Sequence, residues 1–244
     1  MTVNKTILLP LILFLSSCSL SSHKESIVTG QLQHGNGEKL VLSELDIKTV
    51  IGVDSMEMDG EGSFHFNVKV PEPGFFLLRA PSGKVLVLLL KPGETVKLSG
   101  TFNEFPDHIN LEGSTDNKLM DAFFRFTRHN EKVVDSLEMS MVENQDSSGF
   151  YEITQRADTI LKNIWDRQRT YELEFIERHP ASLVSLIVLY YAFGINTVLN
   201  PEQDFSSFEK VDSALNRSYP ENKHTKYHRQ RMEEFKRLQV KTVE

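Results

Sequence analysis

Two histidines near the C-terminal end of the sequence have the spacing of a pair of metal ligands. His224 and His228 are four residues apart, so a helix would place both on one face, as in helical zinc sites. No third ligand with a recognisable spacing lies nearby, and the cationic side chains of Lys226 and Arg229 would repel a metal ion. We therefore predict a solvated helix face here and no metal site.

An acidic segment, Asp54–Glu61, superficially suggests a calcium-binding loop. The loop of an EF-hand needs oxygen ligands at its first, third and fifth positions, and here Met56 and Met58 occupy the third and the fifth. We predict a β-hairpin turn instead, because the pair Asp59-Gly60 is typical of tight turns between strands.

The run from Lys223 to Arg231 is basic although the protein as a whole is acidic. Such a run could contact anionic lipid headgroups or an acidic partner. The alternative is an exposed helix whose charge is balanced by Glu233 and Glu234, and we favour this second interpretation.

The sequence contains no recognisable catalytic machinery. Neither the Gly-x-Ser-x-Gly of a hydrolase nor a glycine-rich phosphate loop is present, and we expect the isolated His65 and His108 to be structural. The single cysteine, Cys18, excludes a disulfide framework, a Cys-x-x-Cys redox pair and a cysteine-rich zinc site. The 27 Lys and Arg against 34 Asp and Glu give a net charge of −7, which disfavours nucleic acid as a partner. We expect no enzyme, no cofactor and no bound metal.

Cys18 itself follows a processing signal. A short positive segment, Met1–Lys5, precedes an apolar segment, Thr6–Leu15, that is too short to span a bilayer. The tetrapeptide Leu15-Ser16-Ser17-Cys18 then has the pattern of a bacterial lipoprotein signal, in which the cysteine is lipidated and becomes the new N-terminus. The alternative is an ordinary secretory peptide with an incidental cysteine. We predict a signal peptide at 1–17 and lipidation of Cys18.

The predicted anchor implies a place in the cell envelope. One acyl chain binds a membrane only marginally, whereas the two or three chains of a lipoprotein cysteine hold it stably. Residues 18–26 would form the lipidated cysteine and its tether. Residue 19 is Ser rather than Asp, so the best-known signal for retention in the inner membrane is absent, and we expect the outer membrane.

Residues 27–113 have the pattern of a β-rich domain. Ser63–Val70 alternates apolar and polar residues, as a strand with one buried face does, whereas Val85–Leu90 is continuously apolar, as expected of a strand buried on both faces. Turn residues separate these runs from five further short strands. The pattern predicts an antiparallel β-sandwich or open barrel.

Residues 114–244 have the spacing of helices, so that the chain as a whole is predicted to be α+β. Two amphipathic stripes, Leu119–Met141 and Ile153–Phe175, predict an antiparallel helical hairpin. Further helices are expected from Pro201 to about Leu215 and from Glu221 to Val240.

The segment Ala181–Leu199 carries no charge and is almost long enough to span a membrane. Ser182, Ser185 and Asn196 interrupt it, and the pair Tyr190-Tyr191 lies in its middle rather than at an interface. We predict a buried central helix, with a membrane segment as the alternative.

Several motifs, taken in order, resemble a known arrangement. They are Gly30, Val53-Asp54-Ser55 with Asp59-Gly60, Gly62–Phe66, Lys91–Glu94 before Val96–Gly100, and Leu111–Ser114. Together they resemble the N-terminal β-domain of unknown function found in lipoproteins of the Bacteroidota. Phe175–Ser182 is similar to the helical linker that follows that domain.

In most members of that family these two parts precede a thioredoxin-like thiol–disulfide interchange domain. The present sequence ends at Glu244, where such a domain would begin, and it has no Cys-x-x-Cys. The resemblance therefore carries over no catalytic residue.

The sequence thus predicts a lipid-anchored envelope protein that acts as a non-enzymatic binding or accessory module with an envelope protein partner. The alternative is a recognition subunit that works with a separately encoded thioredoxin-like oxidoreductase. A hydrolase with an unrecognised site is a third possibility.

Overall fold

A computed structural model describes residues 25–194 and 196–242, with side chains described as far as Leu238. The predicted signal peptide and Cys18 lie outside the described residues. The strands are β1 (Ser26–Gln33), β2 (Lys39–Leu45), β3 (Val50–Glu57), β4 (Ser63–Val68), β5 (Gly74–Arg79), β6 (Val85–Leu90), β7 (Thr95–Thr101), β8 (Asn110–Glu112), β9 (Ala192–Phe193) and β10 (Asn196–Thr197). The helices are α1 (Thr115–Glu143), α2 (Phe150–Arg178), α3 (Val184–Leu189), α4 (Phe205–Ser218) and α5 (Lys223–Thr242). Strands followed by helices confirm the predicted α+β class.

The first eight strands form two four-stranded sheets that are not closed into a barrel. The first sheet has the order β4-β1-β7-β8 and the second has the order β3-β2-β5-β6. All neighbours are antiparallel except β1 and β7, which pair in parallel. The parallel pair departs from the purely antiparallel arrangement predicted from sequence.

The second sheet is buried on both faces where it meets the helices. Leu86, Leu88 and Leu90 of β6 pack into the core between the two sheets. Leu89 points the other way, into the core that the sheet shares with the helices, and Phe75 of β5 does the same. The prediction that Val85–Leu90 is buried on both faces is confirmed.

A buried asparagine attaches α1 to the free edge of β6. The Asn117 side chain donates from Nδ2 to the Leu89 carbonyl (2.8 Å) and accepts the Leu89 amide proton at Oδ1 (2.7 Å). The side-chain amide thus satisfies the two backbone groups that a neighbouring strand would otherwise pair.

The two long helices form the predicted antiparallel hairpin, with the turn at residues 144–149. The prediction of one long helix over Ala181–Leu199 is wrong. Only α3 is helical, and β9 and β10 follow it as a two-stranded hairpin. Gly194 there has φ +65°, a conformation that ends helices and makes turns. The burial predicted for this segment holds in part: Val184, Val188, Leu189 and Leu199 are each at most 1% exposed, whereas Asn196 and Thr197 of the hairpin are exposed.

The remaining boundaries differ from prediction by a few residues. α4 begins at Phe205 rather than at Pro201, because residues 200–204 form a turn in which the Gln203 and Asp204 amides donate to the Asn200 carbonyl. Among the described residues, no helix has both the length and the apolar character needed to cross a membrane.

The acidic segment Asp54–Glu61 begins within β3 and continues into a turn, but this turn is not a hairpin as predicted. Oδ1 of Asp59 accepts from the amides of Glu61 (2.9 Å) and Ser63 (2.8 Å). The turn connects β3 to β4, which lie in different sheets. The strand direction therefore reverses between two layers rather than within one.

Candidate functional site

A cavity of about 370 Å³ lies where the second sheet meets α3 and α5. The strand half contributes Phe75 and the end of β2 with the residues after it, and the helical half contributes α3, the chain just beyond it and one face of α5. Its wall is mostly apolar and aromatic, with a few polar side chains: Leu45, Asp46, Ile47, Phe75, Leu186, Ile187, Tyr190, Tyr191, Ala192, His224, Tyr227, His228 and Arg231.

The polar side chains of α5 reach the cavity because of their helical spacing. Tyr227, His228 and Arg231 lie three, four and seven residues after His224, a spacing that places all four side chains on one face of the helix. Asn222 fixes where this face begins. Its Oδ1 accepts from the His224 amide (3.0 Å) as an N-cap does, and its Nδ2 donates to the Pro73 carbonyl (2.6 Å) beside β5.

Lys223 holds the start of α5 against the end of β2. Its ammonium group pairs with the carboxylates of Glu44 and Asp46, the latter at 2.9 Å. The hydrogen bond from Lys223 is the main reason that the pKa of Asp46 lies below its usual value. Burial disfavours the charged ammonium, but the bonds to the two carboxylates outweigh it and raise the pKa of Lys223.

His224 is buried against the strand half and has an unused polar atom. The residue is 9% exposed, and its ring meets that of Phe75 edge-on with centroids 4.9 Å apart. Within the described part of the chain, Nε2 of His224 has no hydrogen-bond partner. Burial, followed by the charge of Lys223, lowers the pKa of His224 to about 4. The imidazole is therefore neutral at neutral pH.

His228 uses both ring nitrogens to connect three helices. Its Nε2 lies 3.2 Å from the Phe208 carbonyl of α4, and its Nδ1 lies 2.8 Å from the hydroxyl of Tyr190, just after α3. A carbonyl can only accept, so Nε2 carries the proton and Nδ1 accepts the hydroxyl proton of Tyr190. Burial lowers the pKa of His228 and raises that of Tyr190 to about 12, which keeps both groups neutral.

Arg231 brings a positive charge to the same cavity. Its guanidinium carbon lies 4.3 Å from the centroid of the Tyr190 ring and 5.8 Å from that of Phe235. No carboxylate of the described residues forms an ion pair with Arg231. The guanidinium therefore has a cation–π contact, while its charge has no carboxylate partner among these residues.

These contacts correct the prediction that His224 and His228 lie on a solvated face of α5. His224 and His228 lie on a buried face rather than a solvated one, because β5, α3 and α4 cover them. Both nitrogens of His228 are already bonded, so metal ligation through either one would break a hydrogen bond. No group of three or more potential metal ligands is present among the described residues.

The basic run is also balanced differently from the prediction. Three of its four cations form ion pairs: Lys223 with Glu44 and Asp46, Arg229 with Asp212 of α4, and Lys226 with Glu221 of the preceding turn. None of these three cations pairs with Glu233 or Glu234. Lys223 and Arg229 therefore tie α5 to the end of β2 and to α4.

A second unusual group lies between α1 and α2, away from the cavity. Glu172 is fully buried, and its Oε1 accepts from Nε2 of Gln168 at 2.9 Å. Gln168 in turn donates to the hydroxyl of Thr127 and accepts from Asn130. Burial raises the pKa of Glu172 to about 8. The side chains of this polar cluster are fully buried and join the two helices.

The structure also places the other predicted residues. Cys18 lies outside the described residues, and His65 and His108 are exposed. Sequence reasoning missed the cavity, Tyr190 and Arg231. The signal for them was the pair of tyrosines within an apolar run, followed by aromatic and basic residues at helical spacing in α5.

The fold and the cavity define an α+β protein with a ligand-sized space between its strand and helical parts. Residues 26–120, which span β1 to β8 and the start of α1, match the family described as "Domain of unknown function (DUF4369)". The N-terminal part of the chain is thus a domain of unknown function. No curated protein matches the chain.

The solved structures that are similar over part of the chain include the crystal structure of a 9R-lipoxygenase from Cyanothece PCC8801. The identity is 11%, the match covers 60% of this chain and 26% of the lipoxygenase, and the TM-score is 0.24. The match thus spans about a quarter of the lipoxygenase, and at this score nothing about fold or function follows from it.

Proposed function

We propose that this protein is a lipid-anchored, non-enzymatic binding module of the cell envelope whose ligand site is the cavity at the junction of the strands and helices. The observation that carries the proposal is the cavity itself, about 370 Å³ in volume. Sites for small molecules are concave, mostly apolar and aromatic, and lined by a few convergent polar groups. The wall formed by Phe75, Leu186 and Tyr190 with His224 and Arg231 has this composition.

The state of the polar groups favours binding over catalysis. Proton transfer needs a base or acid that is free to exchange a proton near the working pH. His228 is bonded at both nitrogens and Tyr190 holds its proton to about pH 12. His224 has a free nitrogen, but it has neither a nucleophile to activate nor a third group to orient it among its described contacts.

The sequence supports the envelope part of the proposal. The lipobox Leu15–Cys18 would give the mature protein a lipidated N-terminus, and the tether to residue 26 would place the first strand close to the membrane. Ser19 favours the outer membrane. An envelope protein that receives or supplies the ligand is the expected partner.

The match of residues 26–120 favours a second candidate function. If this domain has the same role as in the thioredoxin-containing lipoproteins that the sequence resembles, the chain is a recognition subunit for a separately encoded thioredoxin-like oxidoreductase. Co-purification with such a protein, together with insulin reduction by the complex, would favour this candidate over a module that works without redox chemistry.

The proposal is tested by the small molecules that the protein carries. The full-length protein would be purified from its own membranes in mild detergent, denatured, and the released molecules identified by mass spectrometry. Leu186→Trp fills the cavity, whereas Ile160→Trp adds the same ring on a part of α2 outside it. We expect a molecule released by the wild type and Ile160→Trp but not by Leu186→Trp. Identical profiles from all three proteins would overturn the proposal.

A Cys18→Ala variant tests the anchor separately. We expect an unprocessed precursor that carries no acyl label. Processing at the same position, with the same degree of membrane attachment, would show that Cys18 is not the anchor.

A further inference from the structure

We infer that the cavity binds a small amphipathic carboxylic acid, with its carboxylate at Arg231, its apolar body between α3 and the strands, and a second hydrogen-bonding group at His224. The inference rests on the proposed binding function and names the class of ligand.

Arg231 is the natural partner for a carboxylate. The guanidinium carbon lies 4.3 Å from the centroid of the Tyr190 ring, and this cation–π contact favours its position in the cavity before any ligand arrives. It has no carboxylate partner among the described residues. A planar fork of N–H donors pairs bidentately with the two oxygens of a carboxylate.

His224 provides the second polar contact at the other end of the cavity. Its neutral ring is 9% exposed and lines the cavity, and its Nε2 has no partner in the described structure. A buried polar atom without a partner is unfavourable, and a ligand group that bonds to it removes that penalty. Seven residues of α5 separate His224 from Arg231, which corresponds to about 10 Å along the helix. The ligand therefore needs polar groups near both of its ends.

The space between the two polar groups suits an apolar chain or ring. Leu186 and Ile187 of α3 form one side and Leu45, Ile47 and Phe75 of the strand half form the other. The volume of about 370 Å³ corresponds to roughly twelve water molecules at about 30 Å³ each. Such a space accommodates a ligand with a short aliphatic or aromatic body.

The charges near His224 define the competing ligand class. Asp46 also lines the cavity, and together with Glu44 it shares one cation, Lys223. Two carboxylates with one ammonium leave one negative charge at that end, which would favour an amine over an acid. The bonds to Lys223 hold these carboxylates in place, whereas Arg231 is unpaired, so we expect the acid to bind more tightly.

The test compares four eight-carbon probes by isothermal titration and NMR. They are 8-hydroxyoctanoate, octanoate, octan-1-ol and octylamine, added to a chain of residues 19–244 that retains every described element. We expect 8-hydroxyoctanoate to bind most tightly, then octanoate, with octan-1-ol and octylamine weaker by about tenfold or more, since hydrogen bonds to charged groups are the strong ones.

Two variants assign the contacts, and a third serves as a control. Arg231→Met should weaken both acids by about tenfold and remove their advantage over octan-1-ol. His224→Phe keeps an aromatic ring at this position but has no ring nitrogen. It should therefore make the affinities for 8-hydroxyoctanoate and octanoate equal. Arg229→Met removes the same charge from the same helix outside the cavity, where Arg229 faces Asp212, and should leave all four affinities unchanged. Circular dichroism and thermal melts would confirm that each variant is folded.

The outcomes separate the ligand class from the binding function. Equal binding of octan-1-ol and octanoate, tighter binding of octylamine, or an equal effect of Arg229→Met and Arg231→Met would overturn the carboxylate assignment. If the protein purified from membranes still releases a molecule that Leu186→Trp abolishes, the proposed binding function stands even though the carboxylate assignment is wrong. If no probe binds and no such molecule is released, both the binding function and the carboxylate assignment are wrong.

Discussion

The buried carboxyl group of Glu172 makes the stability of the helical half depend on pH. Burial raises its pKa to about 8, whereas an unfolded glutamate ionises near 4.5. Between these values the folded chain binds more protons than the unfolded chain, so the free energy of unfolding falls as pH rises. Glutamine keeps the acceptor for Gln168 and cannot ionise.

We therefore predict that Glu172→Gln stabilises the protein by up to about 3 kcal/mol at pH 7 and has little effect near pH 4.5. Urea unfolding at both pH values measures this difference. Glu174→Gln, which changes an exposed carboxylate on the same helix, should change stability little. A loss of stability in Glu172→Gln that is equal at both pH values would contradict the prediction.

His224 gives a dependence on pH of the opposite sign. Its pKa of about 4 in the fold compares with 6.5 for an ordinary imidazole. As pH falls from 6.5 to 4 the unfolded chain takes up a proton that the folded chain does not, so stability is lost in that range and is complete above it.

For His224→Phe we expect a protein that loses less stability than the wild type between pH 7 and pH 4.5, by about 2–3 kcal/mol. Urea unfolding of the two proteins at pH 7 and pH 4.5 measures this difference in lost stability directly. His65→Gln, at an exposed histidine of β4, provides the comparison and should follow the wild type. If the stability of His224→Phe changed with pH in the same way as that of the wild type does, folding would not lower the pKa of His224.

At the scale of single residues, the sequence predicted the position of the two histidines of α5 but not which residues surround them. Helical spacing placed His224 and His228 on one face of α5, as observed. What covers that face is Phe75, nearly 150 residues earlier, and the chain around α3, and no local pattern reports such distant contacts. Solvation was therefore predicted where burial occurs.

At the scale of elements, Gly30 allows the parallel pairing of β1 and β7. A Cβ atom on Gly30 would lie 2.2 Å from the carbonyl oxygen of Leu98 and 2.9 Å from the Phe64 ring. The oxygen belongs to the backbone of β7 and can move only if the strand moves. We predict that Gly30→Ala lowers the free energy of unfolding by about 1–3 kcal/mol.

Gly52→Ala is the matched control for this prediction. Gly52 lies in the exposed edge strand β3, and a Cβ there would meet nothing within 4 Å. Thermal melts should therefore show a lower midpoint for Gly30→Ala and a change within about 0.5 kcal/mol for Gly52→Ala. Equal midpoints for the two variants would show that β1 and β7 are not as close as described.

Local patterns predicted most elements but not their partners. The 3-to-4 spacing of apolar residues located α1 and α2 within a few residues. The parallel pairing of β1 with β7 depends on how the intervening strands cross between sheets, which alternation does not encode. The segment Ala181–Leu199 was assigned to one helix because it carries no charge, and the absence of charge does not show where α3 ends and a short hairpin begins.

At the scale of the whole molecule, the second sheet couples the strands to the helices. One face of β5 and β6 packs in the core between the sheets and the other packs against the helices. Asn117, Asn222 and Lys223 add hydrogen bonds across the same boundary. If either core is lost, the sheet loses one of its two buried faces. The two parts should therefore unfold together.

We predict that Phe66→Ala, deep in the core between the sheets, lowers the unfolding midpoint reported by Trp165 in α2. Phe66 is fully buried and packs in that core, whereas Trp165 is the single tryptophan and lies in the helical part. A buried Phe→Ala change typically costs 3–5 kcal/mol, which for a chain of this size lowers the midpoint by about 6 °C or more. Fluorescence of Trp165 and far-UV circular dichroism should shift together, and Val53→Ala on the exposed strand should shift neither. A Trp165 transition that stays at the wild-type temperature in Phe66→Ala would mean that the helices fold independently of the strands, and that the cavity between them is a boundary between two units.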